Sequence, residues 1–130
     1  MSLRAALLLA PLLLVAACST PRPYAPVDDV RYTAIGADPF WMVTIGDDRI
    51  VLRLAGTEGP RDESWPRVLP VHDGDITRWQ SGGGTHVITV EARRGSAPCE
   101  SGRVLYQDQV RVTLSGRMLE GCGGRIVRGR

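Results

Sequence analysis

The fold of this chain is decided by one stretch, Phe40-Trp41-Met42-Val43-Thr44-Ile45-Gly46-Asp47-Asp48-Arg49-Ile50-Val51-Leu52-Arg53-Leu54. Apolar side chains recur at every second position on both sides of Asp47-Asp48, which is the period of strands with one face on a core. A tight turn at Asp47-Asp48 predicts three apolar cross-strand pairs on one face: Trp41 with Leu54, Val43 with Leu52, and Ile45 with Ile50. Trp41 is therefore expected to be a core residue.

A second hairpin near the C-terminus repeats this pattern. A turn at Ser115-Gly116 predicts an apolar pair on one face and a charge pair on the other, Val112 with Leu119 and Arg111 with Glu120. This register leaves Cys122 on the polar face, unless a bulge at Gly121 turns its side chain inward.

The remaining segments predict more short strands and no helix. Residues 86–92 form a third firm strand, which residues 76–80 can pair with across the loop 81–84, and residues 30–35, 68–71 and 125–128 are weaker candidates. Residues 56–70 are expected to be irregular because they contain Pro60, Pro66 and Pro70. Seven to nine strands in about 100 residues indicate an all-β fold, a small antiparallel β-barrel or sandwich.

The N-terminus has the layout of an export signal. Arg4 precedes an apolar run over residues 5–17 that ends in Leu14-Val15-Ala16-Ala17-Cys18. This run contains Pro11 and is shorter than the roughly 20 residues of a membrane span. It resembles a bacterial lipoprotein signal peptide, in which the thiol of Cys18 takes a diacylglyceryl group, cleavage follows Ala17 and the new amino terminus is acylated. The alternative is a plain secretory signal that happens to contain a cysteine.

The sequence thus predicts three regions: a signal peptide at 1–17, a lipidated Cys18 with a Pro-rich tether at 18–29, and a β domain at 30–130. The tether prolines favour an extended chain, which spans roughly 25–30 Å between residues 19 and 27. Ser19 follows Cys18, and by resemblance to enterobacterial lipoproteins this favours the outer membrane, with the domain facing the periplasm. The formal net charge of +2 gives no general drive toward nucleic acid.

Cys99 and Cys122 are the cysteines left in the exported domain, and an oxidising compartment favours a disulfide between them. The alternative is two free, buried thiols. Neither cysteine has a Cys or His neighbour at the spacing of a zinc site.

No motif predicts catalysis or a cofactor. The segment His72-Asp73-Gly74-Asp75 is the best metal candidate, but a solvated turn is the favoured interpretation because Asp-Gly is a common turn. Ser81 and His86 lack the context of an activated nucleophile. We therefore expect no catalytic residues, no metal, no cofactor and no enzymatic activity.

Two surface features are candidates for binding. Trp65 lies in the Pro-rich segment and is a candidate surface anchor, although a tryptophan folded back over one end of the barrel is the favoured interpretation. The arginines Arg93, Arg94, Arg125, Arg128 and Arg130 are candidates for contact with anionic lipid, although a charged strand edge is the favoured interpretation.

Two short motifs frame the domain, with Cys99 between them: Gly36-Ala37-Asp38-Pro39-Phe40-Trp41 and Leu114-Ser115-Gly116-Arg117-Met118-Leu119-Glu120-Gly121-Cys122. Over residues 30–123 the chain resembles a group of small, uncharacterised bacterial lipoproteins with a Gly-x-Glu-Pro-Phe-Trp opening and a Gly-Cys near the end. Some of these sit beside, or are fused to, META-domain or C-type lysozyme-inhibitor modules. Asp38 replaces the group's Glu, and residues 100–103 depart from its Asp-Gly-Met-Ser-Asp pattern. The resemblance implies no catalytic residues.

The sequence as a whole favours a lipid-anchored, non-enzymatic domain that binds a protein or an envelope polymer, with an inhibitor-like role as one form of this. The alternative is a β-barrel lipoprotein that binds a small ligand, which requires an apolar interior pocket of several hundred cubic ångströms.

Overall fold

The computed structural model describes residues 31–127 and has nine strands in that range. The strands are β1 Tyr32–Gly36, β2 Trp41–Ile45, β3 Arg49–Leu54, β4 Arg61–Pro66, β5 Val71–Asp73, β6 Ile76–Gly83, β7 His86–Ser101, β8 Val104–Leu114 and β9 Arg117–Val127. Helices that could cross a bilayer are absent between residues 31 and 127. The predicted signal peptide, Cys18, the tether, and the tail residues Arg128 and Arg130 lie outside the described residues.

All nine strands form one antiparallel sheet in the order β4-β3-β2-β1-β9-β8-β7-β6-β5. The sheet curls so strongly into a half-barrel that β4 comes back toward β6, where the Ser81 hydroxyl donates a hydrogen bond to the Pro66 carbonyl oxygen at 2.5 Å. The predicted all-β class is confirmed, and because there is a single sheet the fold is barrel-like and not a sandwich.

Both predicted hairpins have the predicted register. In the first, β2 pairs with β3 through Trp41 and Leu54, Val43 and Leu52, and Ile45 and Ile50. In the second, β8 pairs with β9 through Val112 and Leu119, and Arg111 and Glu120. The pairing of β6 with β7 is also confirmed, but β6 continues through Gly83, which pairs with His86, so the turn is shorter than the loop predicted over 81–84.

The expectation that residues 56–70 are irregular is wrong, whereas the register predicted for Cys122 is confirmed. The segment 56–70 contains the strand β4, because β4 pairs with β3 alone and an edge strand tolerates a proline at its end. No bulge turns Cys122 inward: Gly121 pairs with Val110 and Cys122 with Gln109 in continuous register. Of the weak candidate strand 68–71, only Val71 lies in a strand.

The core fills the concave side of the sheet with apolar side chains from every strand except β5. Trp41 is 2% exposed, so its predicted core position is confirmed. Its indole lies over Gly36 of β1 and Gly121 of β9, where any β-carbon would collide with the ring. The two glycines thus let one large side chain lie flat across two neighbouring strands.

The half-barrel has two ends that differ in chemistry. At one end β1 begins at Tyr32 and β9 ends at Val127. We call this end the proximal end, because residues 1–30 join the domain there. The distal end is the one where β1 and β8 end and β2, β4 and β9 begin.

Candidate functional site

The concave mouth at the distal end carries a broad surface depression. It consists of two adjoining concavities of about 270 and 510 Å³ that share Leu54, Arg61 and Arg117, and we call them together the distal cleft. Their walls come from the start of β4, the β3–β4 loop, the β6–β7 turn and the β8–β9 turn. The lining side chains include Arg61, Glu63, Trp65, His86, Leu114 and Arg117.

Strand register explains why polar side chains gather at this mouth. Arg61, Glu63 and Trp65 alternate along β4 and lie opposite Leu54, Leu52 and Ile50, so all three face the concave side. Trp65 reaches the core, whereas Arg61 and Glu63 lie farther toward the distal end, at the edge of the core. An edge strand that extends past the core in this way gives the cleft a charged wall.

The charges in the distal cleft are only partly paired. Arg61 forms an ion pair with Glu63 at 3.2 Å on the same strand. Arg117 is exposed on the opposite wall and has no ion pair among residues 31–127. The Ser115 hydroxyl donates a hydrogen bond to the Thr85 carbonyl oxygen and ties the two turns together. The cleft therefore offers one guanidinium to an incoming acceptor.

His86 forms the floor of the cleft together with Trp65. The two rings are stacked, with centroids 4.7 Å apart and an angle of 17° between their planes. His86 Nε2 lies 3.4 Å from the Ser64 carbonyl oxygen, a long contact at the outer limit of hydrogen bonding. The stack fixes the orientation of the imidazole ring at the boundary between the cleft and the core.

The interpretation of Trp65 as a surface anchor is wrong. Trp65 is 2% exposed and belongs to the core, because β4 turns its side chain inward opposite Ile50. Its indole N–H is buried and has no hydrogen-bond acceptor. Trp65 thus closes the half-barrel at the seam between β4 and β6, and its ring, stacked on His86, belongs to the floor of the cleft.

A third concavity, of about 360 Å³, lies on the convex face beside the disulfide. The predicted Cys99–Cys122 bond is present, with the two Cα atoms 5.6 Å apart, and it covers Cys122 from the outer face. Most charges here are already satisfied, since Arg111 pairs with Glu120 at 3.2 Å and Arg78 with Glu91 at 2.9 Å. This surface is accordingly better explained by cross-strand stabilisation than by binding.

A buried polar pair lies at the proximal end. The Tyr32 hydroxyl donates a hydrogen bond to Asp108 Oδ2 at 2.9 Å, and Arg94 approaches Asp108 Oδ1 at 3.6 Å. Burial, together with the neighbouring Asp108 carboxylate, raises the pKa of Tyr32 far above its ordinary value. The ring of Tyr32 also packs on Trp79, with centroids 5.0 Å apart. This pair links β1 to β8 and β6 through the core and has a structural explanation.

The other residues singled out in the sequence have local roles. The segment His72-Asp73-Gly74-Asp75 is the β5–β6 turn, with Gly74 at a φ of +60°, and His72 Nδ1 lies 3.1 Å from Thr77 Oγ1. In the part of the chain that the structure describes, no three His, Cys, Asp or Glu side chains cluster closely enough to hold a metal. Ser81 and His86 have separate partners, the Pro66 carbonyl and the Trp65 ring.

Sequence patterns did not identify the distal cleft. Arg61, Glu63 and Arg117 are ordinary charged residues in the sequence, and only the curl of the sheet brings them to one mouth. Comparisons of the chain with protein-family models, curated proteins and solved structures gave no match.

Proposed function

We propose that the protein is a non-enzymatic envelope lipoprotein, anchored through Cys18, whose β domain binds a protein or an envelope polymer through the distal cleft. The observation that carries this proposal is the position of the cleft. Residues 1–30 join the domain at the proximal end, and the cleft lies at the other end of the same half-barrel. A membrane tether at one end leaves the other end free to meet a partner.

The chemistry of the cleft supports binding. Arg117 is unpaired among residues 31–127, and a guanidinium recognises carboxylate and phosphate through paired hydrogen bonds. Leu54 and Leu114 add apolar surface between the charged walls. A protein loop that carries an acidic side chain fits such a mixed surface, and an inhibitor-like role would use the same contact.

Binding of a small ligand inside the barrel has less support. The concave side of the sheet is occupied by the core, which includes Trp41, Trp65 and Trp79. Each of the three concavities described above is lined by charged side chains.

Site-specific photocrosslinking in the native envelope tests the proposal. A photoreactive residue replaces Glu58, which lines the cleft, and in a matched control it replaces Thr113, which is exposed on β8 away from the cleft. We expect a discrete crosslinked species from position 58 that is absent from position 113 and is weakened by Arg117→Glu. Identical products from both positions, or none from position 58, would contradict binding at the cleft.

A further inference from the structure

A three-stranded ribbon extends beyond the core at the proximal end. The register of β7 with β8 shifts between Arg94 and Cys99, and that of β8 with β9 shifts between Tyr106 and Asp108. Past these shifts the three strands pair again over residues 99–101, 104–106 and 126–127, a segment that we call the proximal ribbon. None of its residues belongs to the hydrophobic core, so core packing does not explain its apolar composition.

The proximal ribbon presents apolar side chains on both of its faces. Tyr106 lies opposite Ile126, and the next pair, Leu105 with Val127, points to the other face because side chains alternate along a strand. Ile126 is 60% exposed and Val127 is 39% exposed. Because the ribbon carries apolar side chains on both faces at the end of the domain, its exposure to water is energetically unfavourable.

Basic side chains border this apolar surface. Arg103 lies in the turn between β7 and β8, and Arg125 directly precedes Ile126; both are exposed and have no ion pair among residues 31–127. Glu100 is the one carboxylate of the ribbon. The sequence continues after Val127 with Arg128-Gly129-Arg130, which lie outside the described residues. The border of the ribbon is thus net positive.

The chain that precedes the domain enters beside this ribbon. β1 runs antiparallel to β9, with Ala34 opposite Gly123, so the start of β1 lies toward the C-terminal end of β9. Residues 1–30 therefore join the domain at the end that carries the exposed apolar side chains. In the proposed lipoprotein, a tether of roughly 25–30 Å joins this end of the domain to the bilayer.

We propose that the proximal ribbon rests on the phospholipid surface that holds the anchor, with its apolar side chains at the boundary between headgroups and acyl chains and its arginines on anionic headgroups. This inference rests on the proposed lipid anchor at Cys18. The contact orients the domain, so that the distal cleft faces away from the membrane. An anionic membrane surface attracts each nearby basic residue, and this attraction biases the orientation of a domain that is already tethered.

The absence of lysine makes a direct test possible. The sequence contains no Lys, and lipoprotein processing blocks the amino terminus, so one introduced lysine is the single reactive amine. Arg103→Lys places it in the ribbon turn. Met118→Lys, the matched control, places it at the other end of β9 on an exposed side chain. Each full-length acylated chain is labelled with an amine-reactive fluorophore and reconstituted in vesicles of phosphatidylethanolamine and phosphatidylglycerol.

Headgroup spin-labelled lipid should quench the fluorophore at position 103 several-fold more strongly than the one at position 118. With Ile126→Ser and Val127→Ser added, quenching at positions 103 and 118 should become equal, while the chain still floats with the vesicles. If the two positions are quenched equally in chains that float with the vesicles and lack the serine changes, the ribbon contact is overturned and the lipid anchor stands. A dimer formed through the ribbon would have the same consequence. A chain that does not float with the vesicles would overturn both.

Discussion

The indole of Trp41 reaches across β1 to Gly121 of β9, so that a β-carbon at Gly121 would come within 2.8 Å of ring carbon Cζ2. The same β-carbon would also collide with the Ile35 carbonyl oxygen. Gly121 is therefore a packing residue: its missing side chain makes room for the ring of Trp41, one of the three tryptophans of the core.

Gly121→Ala should lower the free energy of unfolding by about 1–3 kcal/mol, because extra atoms in a packed core force neighbours apart. Gly83→Ala is the matched control, since a β-carbon there meets nothing within 4 Å. Denaturant melts of the two variants measure the difference. If Gly121→Ala proved as stable as Gly83→Ala, the described position of the Trp41 ring would be wrong.

Trp41→Ala and Trp65→Ala should each cost about 3–5 kcal/mol, since both remove a buried aromatic ring. Each of these tryptophans is only 2% exposed. Phe40→Ala, at a side chain that is 48% exposed, should cost much less. Chemical denaturation of the three variants checks this order. A small loss of unfolding free energy in Trp65→Ala would show that β4 does not close the barrel.

Cys99→Ala combined with Cys122→Ala should lose roughly 3 kcal/mol, the loop-closure value for a crosslink of this span. The two cysteines are 23 residues apart in sequence. Thiol titration of the unreduced, denatured domain should find neither of them free. Detection of two reactive thiols would refute the bond.

Tyr32 predicts an alkaline loss of stability. Its folded pKa is raised, so the folded state keeps the proton that the unfolded state releases near pH 10. The stabilisation that comes from the raised Tyr32 pKa is fully present below that pH. It is lost as the pH rises further, by up to about 1.4 kcal/mol per pH unit. Tyr32→Phe should cost about 1–3 kcal/mol at neutral pH, because Asp108 Oδ2 loses its hydrogen bond.

The difference between wild type and Tyr32→Phe should therefore shrink above pH 10. Without lysine, tyrosines are the main groups that titrate there, and Tyr106→Phe serves as the control. Melts at pH 7, 10 and 11 are compared for all three proteins. If the difference in unfolding free energy between wild type and Tyr32→Phe stayed constant with pH, Tyr32 would ionise as freely as an exposed tyrosine.

The parts of the fold that the sequence predicts are those that depend on neighbouring residues. The first hairpin needs only alternation around Asp47-Asp48, and the second only the turn at Ser115-Gly116. The strand β4 was missed because its prolines argue against a strand, and its place at an edge of the sheet cannot be known from local sequence. The candidate role of Trp65 as a surface anchor follows from that omission.

The candidate sites depend on contacts between distant segments and were for this reason not predictable. The distal cleft forms where β4, the β6–β7 turn and the start of β9 meet. The proximal ribbon requires register shifts in two strand pairs, past which residues 99–101, 104–106 and 126–127 pair again. Periodicity in sequence records which face of a strand is buried, but it does not record where one strand extends past its neighbours.

The lipid anchor is the claim on which both proposals depend, and metabolic labelling with a fatty-acid analogue tests it most directly. The resemblance to a lipoprotein signal peptide requires the Cys18 thiol, which lies outside the described residues. Wild-type protein should be labelled, and Cys18→Ser should carry no label. Equal labelling of the two, or an unlabelled wild type, would contradict the anchor.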